Sequence, residues 1–468
     1  MSGIAYTITV RCHIENRPGM LGKVATAIGE AGGDIGAIDL VRAERGAVVR
    51  DMTVRVQDEL HGDRIVRRVG AVPGVTVLNV SDRVFQMHQG GKIEVHSRYE
   101  LQGRDDLSLI YTPGVARVCK AIHRDAENAY TLTIKQNSLA VVSDGSAILG
   151  LGNLGAAASI PVMEGKAVLF KELANIDAFP ICLQSQDTAT IVATVEQIAP
   201  VFGAINLEDI AAPRCFAVEE QLIERLDIPV MHDDQHGTAV VVLAALRNAC
   251  KVVGKPIEQI RVVVNGVGAA GTAIILSLLG ANVGEITAVD KVGILHADDA
   301  QVLSPMQRFV AEQTNRERRR GNLADALVGA DAFVGVSTGN ILTAEMVQQM
   351  ARDTIVFALA NPIPEGDPDM LHRYVRVVAT GRSDFPNQIN NALSFPGIFR
   401  GALDVRARRI TPEMRQAAAI GLASVISDDE LSEEYIVPSV FNRAVVPAIA
   451  QHVAEAAIRG GMAKRNPI

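Results

Sequence analysis

Apolar and polar positions alternate with period two over residues 6–14, then switch to helical spacing over 20–31, where Leu21, Val24, Ala25 and Ile28 share one face. Arg17-Pro18-Gly19 opens that helix and Gly32-Gly33 closes it. Two more strands, 34–43 and 48–57, flank Arg45-Gly46. A second helix over 60–69 stops at Gly70, and 75–84 reads as the last strand. The order βαββαβ predicts a ferredoxin-like split-βαβ sandwich. Residues from about 90 to 231 alternate short strands and helices among many loops. Beyond His236 come a long apolar helix over 238–253, a β-branched strand over 259–265 and further strand–helix alternation to 379. That pattern specifies a parallel, doubly wound sheet of Rossmann type. The segment 411–468 reads as mostly helical and is expected to pack back on the middle of the chain.

Composition narrows the class. The 468 residues are 48% hydrophobic and 21% charged, with a net charge of −8, which fits an ordinary globular protein and no nucleic-acid partner. The basic run 316–320 is expected to be a solvated helix face. Five scattered cysteines without a Cys-x-x-Cys pair argue against disulfides or zinc, and buried thiols are expected. No basic, apolar and small-residue leader opens the chain, and no run approaches the ~18 uncharged apolar residues of a membrane helix. The expectation is a cytoplasmic protein with no membrane contact.

The pattern G-x-G-x-x-G occurs twice. Gly266-Val267-Gly268-Ala269-Ala270-Gly271 follows a strand, opens a small-residue helix, and is followed about 20 residues later by a strand ending in Asp290. Glycines there permit the tight turn and the approach of a pyrophosphate to the helix N-terminus, while the carboxylate reaches the ribose hydroxyls. Asp290 favours NAD by repelling a 2′-phosphate, whereas Lys291 keeps NADP open. The other copy, Gly150-Leu151-Gly152-Asn153-Leu154-Gly155, is followed by Pro161 within two turns and reads as a turn lining a substrate cleft. Loops with Asn340 and with Ala360-Asn361-Pro362 follow strand-like runs, where the nicotinamide end of a cofactor would lie.

Carboxylates cluster at two strand ends, Glu208-Asp209 and Asp233-Asp234. Convergence would give an oxygen-only site for Mg²⁺ or Mn²⁺; helix capping or solvation is the other reading. Lys166 lies in an apolar stretch, where desolvation could lower its pKa enough for a base; a snorkelling stem is the alternative. Tyr111 precedes a turn and by itself reads as a packing residue.

Two resemblances join these signals. His13-Ile14-Glu15-Asn16-Arg17-Pro18-Gly19-Met20-Leu21 resembles the ACT domain, which implies a regulatory module binding an amino acid or small carboxylate near Asn16, Gly19 and Asp34. Tyr111-Thr112-Pro113-Gly114-Val115-Ala116, Ser143-Asp144-Gly145, Gly165-Lys166, Leu207-Glu208-Asp209-Ile210, His232-Asp233-Asp234-Gln235-His236-Gly237-Thr238, Ala360-Asn361-Pro362 and Asn390-Asn391-Ala392 resemble the malic enzyme family, in its small bacterial type. That resemblance implies oxidative decarboxylation of (S)-malate to pyruvate and CO₂ with NAD(P). It also implies metal ligands Glu208, Asp209 and Asp234, a general base Lys166 hydrogen-bonded to Asp233, and a general acid Tyr111. Asn361, Asn390 and Asn391 would contact substrate; Gly266, Val267, Gly268, Ala269, Gly271, Asp290, Asn340 and Asn361 would hold the cofactor. Ala147 stands where larger members carry a substrate-binding arginine, so another group must hold a malate carboxylate. Family likeness further implies a homo-oligomer, at least a dimer, with the tyrosine segment exchanged between protomers.

The expected parts are an ACT-like regulatory domain (1–85), a catalytic domain (86–235), a Rossmann NAD(P)-binding domain (236–395) and C-terminal helices (396–468). Two rivals compete with this reading: a metal-free 2-hydroxy-acid dehydrogenase, and an amino-acid sensor with a vestigial catalytic half.

Overall fold

The computed structural model describes residues 6–299 and 301–465, in two compact units divided between Val95 and His96. The first unit has the expected order: β1 (Thr7–Glu15), α1 (Met20–Glu30), β2 (Asp34–Glu44), β3 (Ala47–Arg55), α2 (Glu59–Gly70), β4 (Val75–Asp82) and a short α3 (Arg83–His88). Its antiparallel sheet runs β2-β3-β1-β4. Alternation in β1 buries Val10, Cys12 and Ile14 against Val24 and Ile28 of α1 and Ile65 and Val69 of α2. Leu21 is exposed and Met20 takes its expected place, because the helix starts on Met20 and that residue shares a face with Val24. Asp58 caps α2 by accepting from His61 N–H at 2.7 Å.

The second unit begins with α4 (Arg104–Ile110), α5 (Val115–Arg124) and α6 (Asn128–Leu132), followed by β5 (Ser138–Ser143), α7 (Ala156–Ala174), β6 (Asp177–Cys182), α8 (Thr188–Ile198), β7 (Ala204–Leu207), α9 (Arg214–Arg225) and β8 (Val230–His232). These strands form a parallel sheet, β6-β5-β7-β8. Then come α10 (Asp233–Val253), β9 (Arg261–Asn265), α11 (Ala269–Gly280), β10 (Glu285–Asp290), β11 (Gly293–Ile294), α12 (Pro305–Gln313), α13 (Leu323–Leu327), β12 (Ala332–Gly335), α14 (Ala344–Gln348), β13 (Ile355–Ala358), α15 (Pro368–Leu371) and β14 (Val377–Thr380). The sheet order is β11-β10-β9-β12-β13-β14, the doubly wound pattern with its reversal between β9 and β12. It is parallel except for the edge strand β11, which pairs antiparallel with β10. The chain ends with α16 (Phe395–Asp404), α17 (Pro412–Ala423) and α18 (Val445–Arg459).

One core joins both sheets. It runs from Leu139 and Val141 of β5 through α10 to Val262 and Val264 of β9. Alternate residues face the opposite way: Ala140 and Val142 meet α8 and α9, while Val263 and Phe333 meet α13 and α14. Helix α10 has the length and hydropathy of a membrane span, but it lies largely buried against α11 and α17, and its first turn carries two aspartates.

Four expectations need correction. Helix α7 continues through Pro161, which sits only six residues in, so a single early main-chain bond is lost and the second glycine motif does precede a long helix. The run 316–320 is a turn rather than a helix face; Arg318 and Arg320 pair with Asp298 and Asp299, and Arg319 donates to carbonyls of Asp325 and Ala326. Among the cysteines, Cys12, Cys215 and Cys250 are buried, while Cys182 is half-buried and Cys119 exposed. The C-terminal segment is irregular between α17 and α18; it packs on α10 and α16, and α16 packs on α7.

Candidate active site

Three elements bring one lysine and four carboxyl groups together. Helix α7 carries Lys166, the end of β7 leads into Glu208 and Asp209, and the first turn of α10 presents Asp233 and Asp234. Lys166 Nζ lies 3.0 Å from Glu208 Oε1 and donates to Asp233 Oδ2. The Phe395 ring covers it, with Nζ 4.2 Å from the centroid. Ligand atoms of Glu208, Asp209 and Asp234 lie within 4.8 Å of one another. Asn206 Nδ2 donates to Glu208 Oε2 at 3.0 Å, and Asp209 N–H donates to Asp234 Oδ2 at 2.8 Å. The loop after β5 comes in beside them, with Ala147 N–H donating to the Asp209 carbonyl at 3.0 Å.

Gly237 is dictated by this arrangement. A Cβ there would sit 1.9 Å from Asp233 Oδ1 and 3.2 Å from Asn391 Cβ. Behind the cluster, Glu219 of α9 accepts from His232 N–H at 2.7 Å and pairs with His236 Nε2 at 2.9 Å, which fixes the start of α10.

The electrostatics call for a cation. Burial pushes the Asp209 carboxyl up, and Asp234 adds to that, to about 7. Burial likewise raises Glu208 and Asp233, with Lys166 pulling each back. Burial alone would lower Lys166, but Asp233, Glu208 and Asp234 outweigh it and hold the amine charged, the reverse of the shift expected from an apolar stretch. One ammonium thus faces four carboxyl groups, and the buried Asp209 Oδ2 has no partner. An oxygen-rich, negatively charged cradle with an unpaired oxygen suits a hard divalent cation.

The dinucleotide motif also has the geometry its glycines implied. Gly266 has φ 103°, and a Cβ on Gly271 would lie 1.7 Å from the Gly266 carbonyl oxygen. Gly268 sits at the N-cap of α11, whose second and fourth positions include Ala270 and Thr272. Asp290 Oδ2 accepts from Val267 N–H at 3.0 Å, so the expected ribose-reading carboxylate also braces the glycine turn. Asn340 adopts φ 60° in the loop after β12. Asn361 is exposed after β13; a Cβ on Gly381 would lie 3.2 Å from its amide, and one on Gly150 3.6 Å from its carbonyl. The second glycine motif therefore borders the Asn361 loop. Asn390 Oδ1 accepts from Ala392 N–H, whereas Asn391 lies beside Gly237.

Two residues in these loops make buried contacts that the sequence did not suggest. Asp144 is buried, accepting from Ser146 and from Arg214 Nη2 at 2.7 Å. Glu365, fully buried, accepts from Ser337 and Ala360 N–H groups. An acid directly after an apolar Pro-Ile-Pro run was the available signal for Glu365.

Tyr111 stands apart. It follows α4, is 67% exposed and makes no side-chain hydrogen bond among the described residues. Neither α4 nor α5 buries a residue, although Leu107, Leu109 and Ile110 are apolar. In the first unit, Gly19 (φ 86°) caps α1 close to Asn16, and the Asp34 carboxylate pairs with Arg55 at 3.1 Å.

Residues 90–223 match the malic enzyme N-terminal domain, 235–458 the malic enzyme NAD binding domain, and 2–79 an ACT domain. Over 466 residues the chain is 55% identical to an NAD-dependent malic enzyme of Geobacillus stearothermophilus, covering 100% of this chain and 97% of the relative. It is 51% identical over 390 residues to a bifunctional malic/malolactic enzyme of Bacillus subtilis, covering 83% of this chain and 95% of that protein. The crystal structure of malic enzyme from Pyrococcus horikoshii superposes with a TM-score of 0.78 at 49% identity, covering 80% of this chain and 89% of the other.

Proposed function

The chain belongs to the malic enzyme family, and from that premise we propose how its own residues carry out the oxidative decarboxylation of malate to pyruvate and CO₂ with NAD. The observation that carries the proposal is Lys166, buried between Asp233 and Glu208 at the edge of the three-carboxylate cluster.

Glu208, Asp209 and Asp234 would hold a divalent cation, Mg²⁺ or Mn²⁺. When bound, such a cation supplies Lewis acidity that polarises the 2-oxygen of the substrate and stabilises the enolate left by loss of CO₂, while NAD accepts the hydride from C2. Lys166 takes the hydroxyl proton, since C2 cannot give up hydride to form a carbonyl while that proton stays. A cation held by Glu208, Asp209 and Asp234 would weaken the pull of Glu208 on the ammonium, and Asp233 fixes where the amine points. Phe395 closes the apolar side and keeps water from the amine. The final proton, delivered to C3 of enolpyruvate, comes from the Tyr111 hydroxyl. Asn361 and Asn391 would orient the substrate.

Tyr111 is exposed on a segment with no buried residue in its helices, which supports a dimer in which it serves Lys166 of the partner subunit. Asp290 beside the glycine turn supports NAD over NADP. The four parts, 1–85, 86–235, 236–395 and 396–468, would be regulatory, catalytic, cofactor-binding and packing in turn, within a cytoplasmic enzyme. An amino acid or small carboxylate near Asn16, Gly19 and Asp34 would regulate it.

Initial rates with malate against NAD and NADP, with and without EDTA, test this. Turnover with NAD that EDTA abolishes is expected. Full activity in EDTA would point to metal-free hydride transfer, and no turnover under any condition to a sensor.

A further inference from the structure

Glu365 is a fully buried carboxylate far in sequence from the cluster that holds Lys166. Its two oxygens divide their work. Oε1 accepts from Ser337 N–H at 3.0 Å, in the loop after β12, and Oε2 accepts from Ala360 N–H at 3.0 Å, in the loop after β13. The main-chain oxygen of Glu365 accepts from Ile341 and Leu342, at 2.7 and 2.8 Å, and the carbonyl of Pro364 accepts from Asn340 N–H at 2.9 Å.

The connection continues to the glycine turn. Asn265 Nδ2, at the end of β9, donates to Ser337 Oγ at 2.7 Å, and a Cβ on Gly266 would meet the Val336 carbonyl at 2.8 Å. Gly335 must be glycine because a Cβ there would lie 2.4 Å from Glu365 Cδ. A hydrophobic side chain at 365 would fill this space but leave two main-chain N–H groups without acceptors. The ends of β9, β12 and β13 are therefore tied together at the side of the sheet where the nicotinamide half of a dinucleotide lies in doubly wound folds.

We propose that Glu365 is a positioning residue for hydride transfer: its two carboxylate oxygens fix the loops bearing Asn340 and Asn361, and so set the distance between the nicotinamide and C2 of malate. The role rests on the reading of the site as that of an NAD-dependent malic enzyme. It needs both oxygens as acceptors, so Glu365→Gln separates charge and acceptor count from volume: the amide NH₂ would face a main-chain N–H.

Three readouts on Glu365→Gln test it: the NADH Kd by fluorescence, the Mn²⁺ Kd, and the primary isotope effect with C2-deuterated malate. The NADH Kd should rise about tenfold, the cost of one charge-assisted hydrogen bond. Turnover should fall ~10²-fold as reacting atoms are misplaced, with a larger isotope effect than wild type and an unchanged Mn²⁺ Kd. A variant with a lower melting midpoint but wild-type NADH Kd and isotope effect would overturn the proposal, leaving Glu365 a structural residue only. Should the variant not fold, amide hydrogen exchange on the cofactor-free wild type decides: Ser337 and Ala360 should exchange as slowly as β12 and β13, and fast exchange would overturn the pre-set staple. A wild type that binds no NADH would instead bring down the underlying reading of the site.

Discussion

Lys166 Nζ lies 3.0 Å from Glu208 Oε1, so the proposed base and a proposed metal ligand share charge directly. The state of the lysine is therefore tied to what occupies the carboxylates. On the proposed roles, that contact would couple proton abstraction to metal binding.

Removing Lys166 should stop malate oxidation. Lys166→Ala is expected to lose ~10²–10⁴-fold in kcat, the usual contribution of a general base. Tyr111→Phe should instead most strongly slow conversion of enolpyruvate to pyruvate, followed as loss of enol absorbance. An equal rate in wild type and Tyr111→Phe would remove the tyrosine from its assigned step.

Cofactor choice should follow from Asp290, which accepts from Val267 N–H beside the glycine turn. NAD should exceed NADP in kcat/KM, because a carboxylate there repels a 2′-phosphate. Asp290→Ser should narrow the ratio. Preference for NADP in the wild type would show that Lys291 outweighs the carboxylate.

Glu219 sets a pH dependence. Burial pushes its carboxyl up, but His236, paired with it at 2.9 Å, and His232 outweigh that and bring it down to about 2. A depressed carboxyl contributes stability above its unfolded pKa, and that contribution is lost as pH falls through the folded value. Glu219→Gln should thus cost about 1–3 kcal/mol at neutral pH, with the gap closing between pH 4.5 and 2. Thermal melts of both proteins across that range would show it, and a gap independent of pH would contradict the assignment.

The first unit folds its own core around Val10, Ile28 and Ile65. Deleting residues 1–85 should keep basal turnover and erase any response to an amino acid or small carboxylate. A truncated enzyme that still responds would place the regulatory site in the remaining chain.

Much of this was legible along the chain because local rules and tertiary structure agreed. The βαββαβ order, the glycine turn at Gly266 and the carboxylates after β7 and β8 each carried a short-range signature. Pro161 misled, since its cost depends on how early in a helix it falls, which sequence alone places poorly. Lys166 was misread in sign: its apolar neighbours in sequence suggested a lowered pKa, whereas Asp233 and Glu208 reach it from 67 and 42 positions away and reverse the shift. Glu365 escaped notice for a similar reason, because one of its two partners, Ser337, lies 28 residues earlier. Long-range pairing of charge leaves no periodic trace.

Glu208, Asp209 and Asp234 are proposed to hold the cation beside Lys166, apart from the dinucleotide site on Gly266–Gly271. Equilibrium binding of Mn²⁺ and of NADH to wild type and Asp234→Asn tests it most directly. One Mn²⁺ per chain in the wild type is predicted, with that binding and malate turnover both lost in Asp234→Asn and the NADH Kd unchanged. Undiminished Mn²⁺ binding in the variant, or an equal loss of NADH affinity, would contradict it.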